Sequence, residues 1–90
     1  MPRYLIEREI PGCGAMSEDE LHGAATGSCK VINEIGPDIA WVHSYVTEDK
    51  IYCVYDAKSQ DEIKTHAEKS GFPANSIQEI KTVIDPSWSQ

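Results

Sequence analysis

Ninety residues are enough for one small domain with a single core, and so much surface stays exposed at this size that oligomerisation would add stability. A formal net charge of −7, with no basic run anywhere, excludes nucleic acid and anionic membrane as expected partners. Three cysteines at unrelated spacings form neither a disulfide framework nor a zinc ribbon, and there is neither an apolar signal core nor a run of membrane-spanning length. The expectation is a soluble protein of the reducing cytoplasm.

The first element is a strand over 3–10, where Tyr4, Ile6, Arg8 and Ile10 alternate with Leu5, Glu7 and Glu9. Pro11-Gly12-Cys13-Gly14 ends it. Cys13, set between two glycines, reads as an exposed thiol, inert because no His or basic neighbour adjoins it to lower its pKa. Ser17-Glu18-Asp19-Glu20 is a capping box that starts a helix, with acidic residues favoured at its N-terminus. Leu21, Ala24, Ala25, Ser28, Val31, Ile32 and Ile35 share one face of that helix, and Gly36-Pro37 stops it. Gly23 and Gly27 each cost about 1 kcal/mol relative to Ala, so they mark either a close backbone contact or simply a weak first turn.

Residues 38–56 hold two runs of β-branched and aromatic residues around Thr47-Glu48-Asp49-Lys50, which is a strand-turn-strand signal. An even loop over 47–50 sets Val46 opposite Ile51. One face then carries Trp41, His43, Tyr45, Tyr52, Val54 and Asp56, and the other carries Val42, Ser44, Val46, Ile51, Cys53 and Tyr55 as core. An odd loop would instead set His43 and Tyr45 beside Cys53 and Tyr55, but it asks Lys50 for a left-handed conformation that favours Gly. The even loop is the reading adopted, with Cys53 a packed thiol.

Ser59-Gln60-Asp61-Glu62 is a second capping box, opening a short helix with Ile63, His66, Ala67 and Ser70 on one side and Gly71 as its stop. A last strand is predicted over 77–84, followed by a polar tail containing Trp88. The order strand, helix, strand, strand, helix, strand is the split βαβ pattern of the α+β ferredoxin-like fold. It predicts a four-stranded antiparallel sheet over 1–90 with both helices on one face. The other face would expose Trp41, His43, Tyr45 and Tyr52, too much aromatic surface for a small monomer, so a homodimer is expected.

The block Trp41-Val42-His43-Ser44-Tyr45-Val46, then Asp49-Lys50 and Tyr52-Cys53-Val54-Tyr55-Asp56-Ala57, carries a resemblance. So do Met1-Pro2-Arg3-Tyr4-Leu5-Ile6-Glu7-Arg8, Pro11-Gly12, and His66-Ala67-Glu68-Lys69-Ser70-Gly71-Phe72-Pro73. With these residues the chain resembles a family of small ferredoxin-like domains of unknown function that includes a dimeric nickel-binding protein. At Ala57-Lys58-Ser59 it departs from the family's frequent Ala-Pro-Ser. The resemblance implies the same fold and binding of nickel or another divalent transition metal.

As metal ligands the residues to weigh are His43, His66, Glu62 and Glu7. Glu62 and His66 stand at i and i+4 on one helical side, a spacing that suits chelation and equally a plain hydrogen-bonded pair. Glu7 lies two strands from His43, and strands are about 4.8 Å apart, so one ion would hardly join them within a monomer. His22 and Cys29 are about 10 Å apart along their helix. Neither a nucleophile elbow, a phosphate-cradling loop nor a zinc-protease helix is present, so catalysis is not the expectation. The alternative is a small-molecule enzyme or carrier with an aromatic cavity at the open face, using His43 as acid or base and Trp41, Tyr45 and Tyr52 to hold the ligand.

Overall fold

The computed structural model describes residues 1–89. The strands are β1 (Arg3–Glu9), β2 (Ile39–Val46), β3 (Lys50–Ala57) and β4 (Ser76–Glu79), and the helices are α1 (Glu18–Ile35) and α2 (Gln60–Ser70). The sheet order is β2-β3-β1-β4 with every neighbouring pair antiparallel, the ferredoxin-like arrangement that the element order predicts. Tyr4, Ile6, Cys53, Tyr55 and Ala57 on one face of the central strands form the core with Ile39, Ile63 of α2, and Ile32 and Ile35 of α1. Both helices therefore cover the same side of the sheet.

Both helices begin as their sequences specify. Ser17 and Ser59 each accept at their helix N-terminus while Glu20 and Glu62 reach back to the cap amides, completing two capping boxes. At the end of α2, Gly71 takes a left-handed φ of 79°, a conformation that L side chains rarely adopt. The even hairpin loop is present, with Val46 opposite Ile51.

Three expectations are corrected. The register of β2 jumps from Trp41, opposite Tyr55, to His43, opposite Val54, leaving Val42 as the extra residue of a β-bulge. The bulge resets the alternation, so Trp41 points to the helix-covered face and not to the open face with His43. Its indole N–H donates to Ser44 Oγ at 2.9 Å on that same side. Second, β4 stops at Glu79 and does not continue to Ile84. Its partner β1 begins at Arg3, whose carbonyl accepts from Ile80 N at 2.7 Å, and beyond that contact no strand remains to pair with.

The third correction concerns Cys13, which is 1% exposed and donates from Sγ to Thr47 O at 3.3 Å. The cause is tertiary: the turn after β1 docks on the hairpin loop through Gly14 N to Glu48 O and Gly12 N to Asp49 Oδ1, both 2.9 Å. A Cβ on Gly14 would stand 2.8 Å from Glu48 Cα, so only glycine permits this approach. Cys53 is buried as expected, whereas Cys29 on α1 is exposed. A thiol-disulfide reagent should label Cys29 in the native protein and reach Cys13 and Cys53 only as it unfolds; mass spectrometry of the labelled peptides checks the order.

A Cβ on Gly23 or Gly27 meets nothing within 4 Å, so no close backbone contact within the chain explains these glycines. Gly23→Ala and Gly27→Ala should each stabilise α1, by about 1 kcal/mol, because they raise helix propensity without a clash. Urea denaturation midpoints would show the gain, and a loss at either position would contradict the packing of α1.

Candidate functional site

Two groups of side chains with chemical potential lie on opposite sides of the sheet. On the open face, His43 is exposed and meets Tyr45 edge to face, with ring centroids 5.0 Å apart. Tyr45 is 58% exposed and pairs across the strands with Tyr52, while His43 pairs with Val54. The nearby carboxylates are engaged. Glu7 holds Lys50 Nζ at 2.7 Å, and Asp56 holds the Arg3 guanidinium at 2.7 and 3.0 Å. The hydrogen bond from Arg3 keeps the Asp56 carboxyl below its ordinary range, although a pair this exposed contributes little to stability. Glu7 lies opposite Tyr52, two strands from His43 and about 10 Å across the sheet.

The remaining candidates are elsewhere. Glu62 caps α2, its carboxylate accepting from the hydroxyl and the amide of Ser59; the Ser59 hydroxyl is the main reason its pKa is lowered. His66 points the other way, into the space between α2 and α1, and is 0% exposed. The i, i+4 pair thus does not form a chelate. His43, His66, Glu62 and Glu7 are not brought together. Among the described residues no group of three or more His, Cys, Asp or Glu side chains is placed to hold an ion. Single-chain geometry therefore does not fit a nickel centre.

The covered face carries an assembly that the motifs did not reveal. Arg8 occupies the third inward position of β1 after Tyr4 and Ile6, and is 2% exposed. Its Nη1 donates to Pro73 O at 2.7 Å, its Nε to Cys53 Sγ at 3.4 Å and its Nη2 to Tyr55 Oη at 3.4 Å. The guanidinium also lies 5.9 Å from the Tyr55 ring centroid and 6.0 Å from that of Phe72, within cation–π range. Burial, and then the neighbouring Cys53, raise the Tyr55 pKa, so this hydroxyl stays protonated. The available signal was the strand alternation itself, which puts a charged residue on the apolar side of β1.

Beside this group is a cavity of about 450 Å³ between α1 and the sheet. Its roof is the first half of α1, where Gly23-Ala24-Ala25-Thr26-Gly27-Ser28 has no large side chain to fill the gap. Its floor includes Trp41, Val46 and Ile51. The bulge at Val42 is what supplies Trp41 to this side. Of the four residues expected to hold a ligand at the open face, only Trp41 lines this cavity, and His43, Tyr45 and Tyr52 do not.

Ser28 connects the cavity to His66, whose Nε2 lies 3.0 Å from Ser28 Oγ, while Nδ1 is buried without a partner. Burial first, then the positive charge of Arg8, lower the His66 pKa from 6.5 to about 4, so the imidazole is neutral at pH 7. The unfolded chain takes up a proton at His66 as the pH falls through about 6.5, the folded chain only near 4. Stability present above pH 6.5 is accordingly lost toward pH 4, at up to about 1.4 kcal/mol per pH unit. His66→Gln, which retains a polar group near Ser28, should flatten this part of the pH profile measured by urea denaturation. An unchanged slope would contradict a neutral buried imidazole.

Comparison with known proteins agrees with this architecture. The family model described as nickel responsive protein SCO4226-like matches residues 4–80. Among solved structures, the crystal structure of SCO4226 from Streptomyces coelicolor A3(2) superposes with a TM-score of 0.76, covering 91% of this chain and 99% of that one. The two sequences are 18% identical, so this likeness is one of fold. No curated protein matches the sequence. A family match across β1 to β4, on a chain that folds as that structure does, places this protein in the SCO4226-like nickel responsive protein family.

Proposed function

We propose that the protein binds nickel or another divalent transition metal, without catalysing a reaction, at a site completed when two copies meet through their open faces. The observation that carries this reading is the placement of His43, an exposed imidazole whose nearby carboxylates are already paired with Arg3 and Lys50, on a face whose residues include Leu5, Tyr45 and Tyr52. An imidazole is a good ligand for nickel, but one imidazole is a weak site. Symmetric pairing of two identical faces would supply a second His43, because a two-fold interface brings the same patch to itself. The family's description as nickel responsive supports the choice of metal.

The apolar part of this face supports the pairing. Leu5, Val42 and Tyr45 are among the exposed large hydrophobic residues, and burying them contributes at roughly 25 cal/mol per Å². The ion pairs Glu7–Lys50 and Arg3–Asp56 would sit around the aromatic patch as a polar rim.

Calorimetric titration of tag-free protein with nickel, together with sedimentation, tests this reading. One ion per two chains is expected, with a dimer at micromolar concentration. His43→Ala should abolish that stoichiometric signal, while His66→Ala should retain it, because the sheet separates the two imidazoles. Binding unaffected by His43→Ala, or lost in a folded His66→Ala variant, would refute the assignment.

A further inference from the structure

Arg8 is a buried cation without a buried anion. Among the described residues the ion pairs are Arg3–Asp56, Lys50–Glu7 and Lys81–Glu79, and none includes Arg8. A charge removed from water and left without an opposite charge is strongly unfavourable, so a guanidinium held this way is a standing demand for an anion. Its hydrogen bonding is also incomplete. A guanidinium has five N–H donors, and Arg8 uses three, on Pro73 O, Cys53 Sγ and Tyr55 Oη. One N–H on each terminal nitrogen is left over. Two of the three acceptors are a thiol and a phenol at 3.4 Å, poor substitutes for a carboxylate.

The space beside Arg8 indicates what the anion is attached to. The cavity of about 450 Å³ is within the usual size range of small-molecule sites, and its walls include Ile10, Met16, Leu21, Trp41, Val46 and Phe72. No second cation lines it. One positive charge in a chamber otherwise lined by apolar side chains and the neutral residues Ser28, Ser44 and Tyr55, in a chain with net charge −7, suits a single negative charge and disfavours a multiply charged phosphate. Two remaining N–H groups on a planar fork match the two oxygens of a carboxylate.

We propose that this cavity binds a small apolar monocarboxylate, a medium-chain or aryl-substituted acid, with its carboxylate on Arg8 and its hydrocarbon body between α1 and the sheet. Each feature needed is built by the fold. Small residues in α1 leave the space, the Val42 bulge turns Trp41 into it, and Pro73, Tyr55 and Cys53 fix the guanidinium at one end. The inference is independent of metal binding, because it involves the opposite face of the sheet.

The test uses the full chain without metal, titrated by calorimetry with octanoate and with octan-1-ol, which matches its chain length but carries no charge. Octanoate is expected to bind once per chain, at least tenfold more tightly than the alcohol. Arg8→Met should remove that preference. Ala24→Leu, which fills the roof of the cavity, should weaken both ligands tenfold or more while the protein stays folded. The wild-type preference and the Ala24→Leu result decide the matter even if Arg8→Met does not fold. Equal affinity for acid and alcohol, absence of binding, or binding indifferent to Ala24→Leu would overturn the proposal.

Discussion

The antiparallel pairing of β1 with β3 is the constraint on which the rest of the molecule depends. Its register sets Tyr4 opposite Tyr55 and Ile6 opposite Cys53, and these four side chains make the centre of the covered face. Because strand side chains alternate strictly, the same register fixes Arg8 on the inside and Glu7 on the outside. A slip by one residue would exchange the two faces, exposing the core and burying the Glu7–Lys50 and Arg3–Asp56 pairs. The reactive side chains of β1 and β3 inherit their positions from this pairing, and the partners on β2 and α2 are placed against it. Tyr52 shares the open face with His43 and Tyr45, whereas Cys53 and Tyr55 share the inside with Arg8.

The two faces are consequently different chemical environments. The open face is exposed, and its one imidazole has an aromatic neighbour and compensated charges around it. The covered face holds a cation, a protonated phenol, a thiol and a neutral imidazole, all four buried. A metal ion that needs several donors is poorly served by the inside, where His66 is already committed through Nε2 to Ser28. An apolar acid is poorly served by the outside, where Arg3 and Lys50 are already paired with carboxylates. This division of donors follows from the alternation of the strands and from both helices covering one face.

Much of this arrangement was legible in the sequence, and the parts that were not share a physical cause. The capping boxes at Ser17 and Ser59, the glycine stop at Gly71 and the even hairpin loop are local signals, carried by residues a few positions apart. The separation of His43 from His66 followed from alternation plus helix placement. The bulge at Val42 has no local mark, because β2 contains neither a glycine nor a proline to announce it. The burial of Cys13 depends on docking of the hairpin loop 34 residues away. The end of β4 is decided by where β1 begins. Arg8 was visible as a charge at an inward position, but its meaning required knowing that no carboxylate approaches it and that α1 leaves a cavity beside it.

The separation of the two faces is the central claim, and paramagnetic broadening of amide resonances by substoichiometric nickel tests it most directly. Broadening centred on His43 and Tyr45, with Ser28, Tyr55 and His66 spared, is the result predicted. Broadening centred on His66 and Ser28 would contradict it, because an ion there would have to occupy the interior that the structure assigns to Arg8 and its cavity.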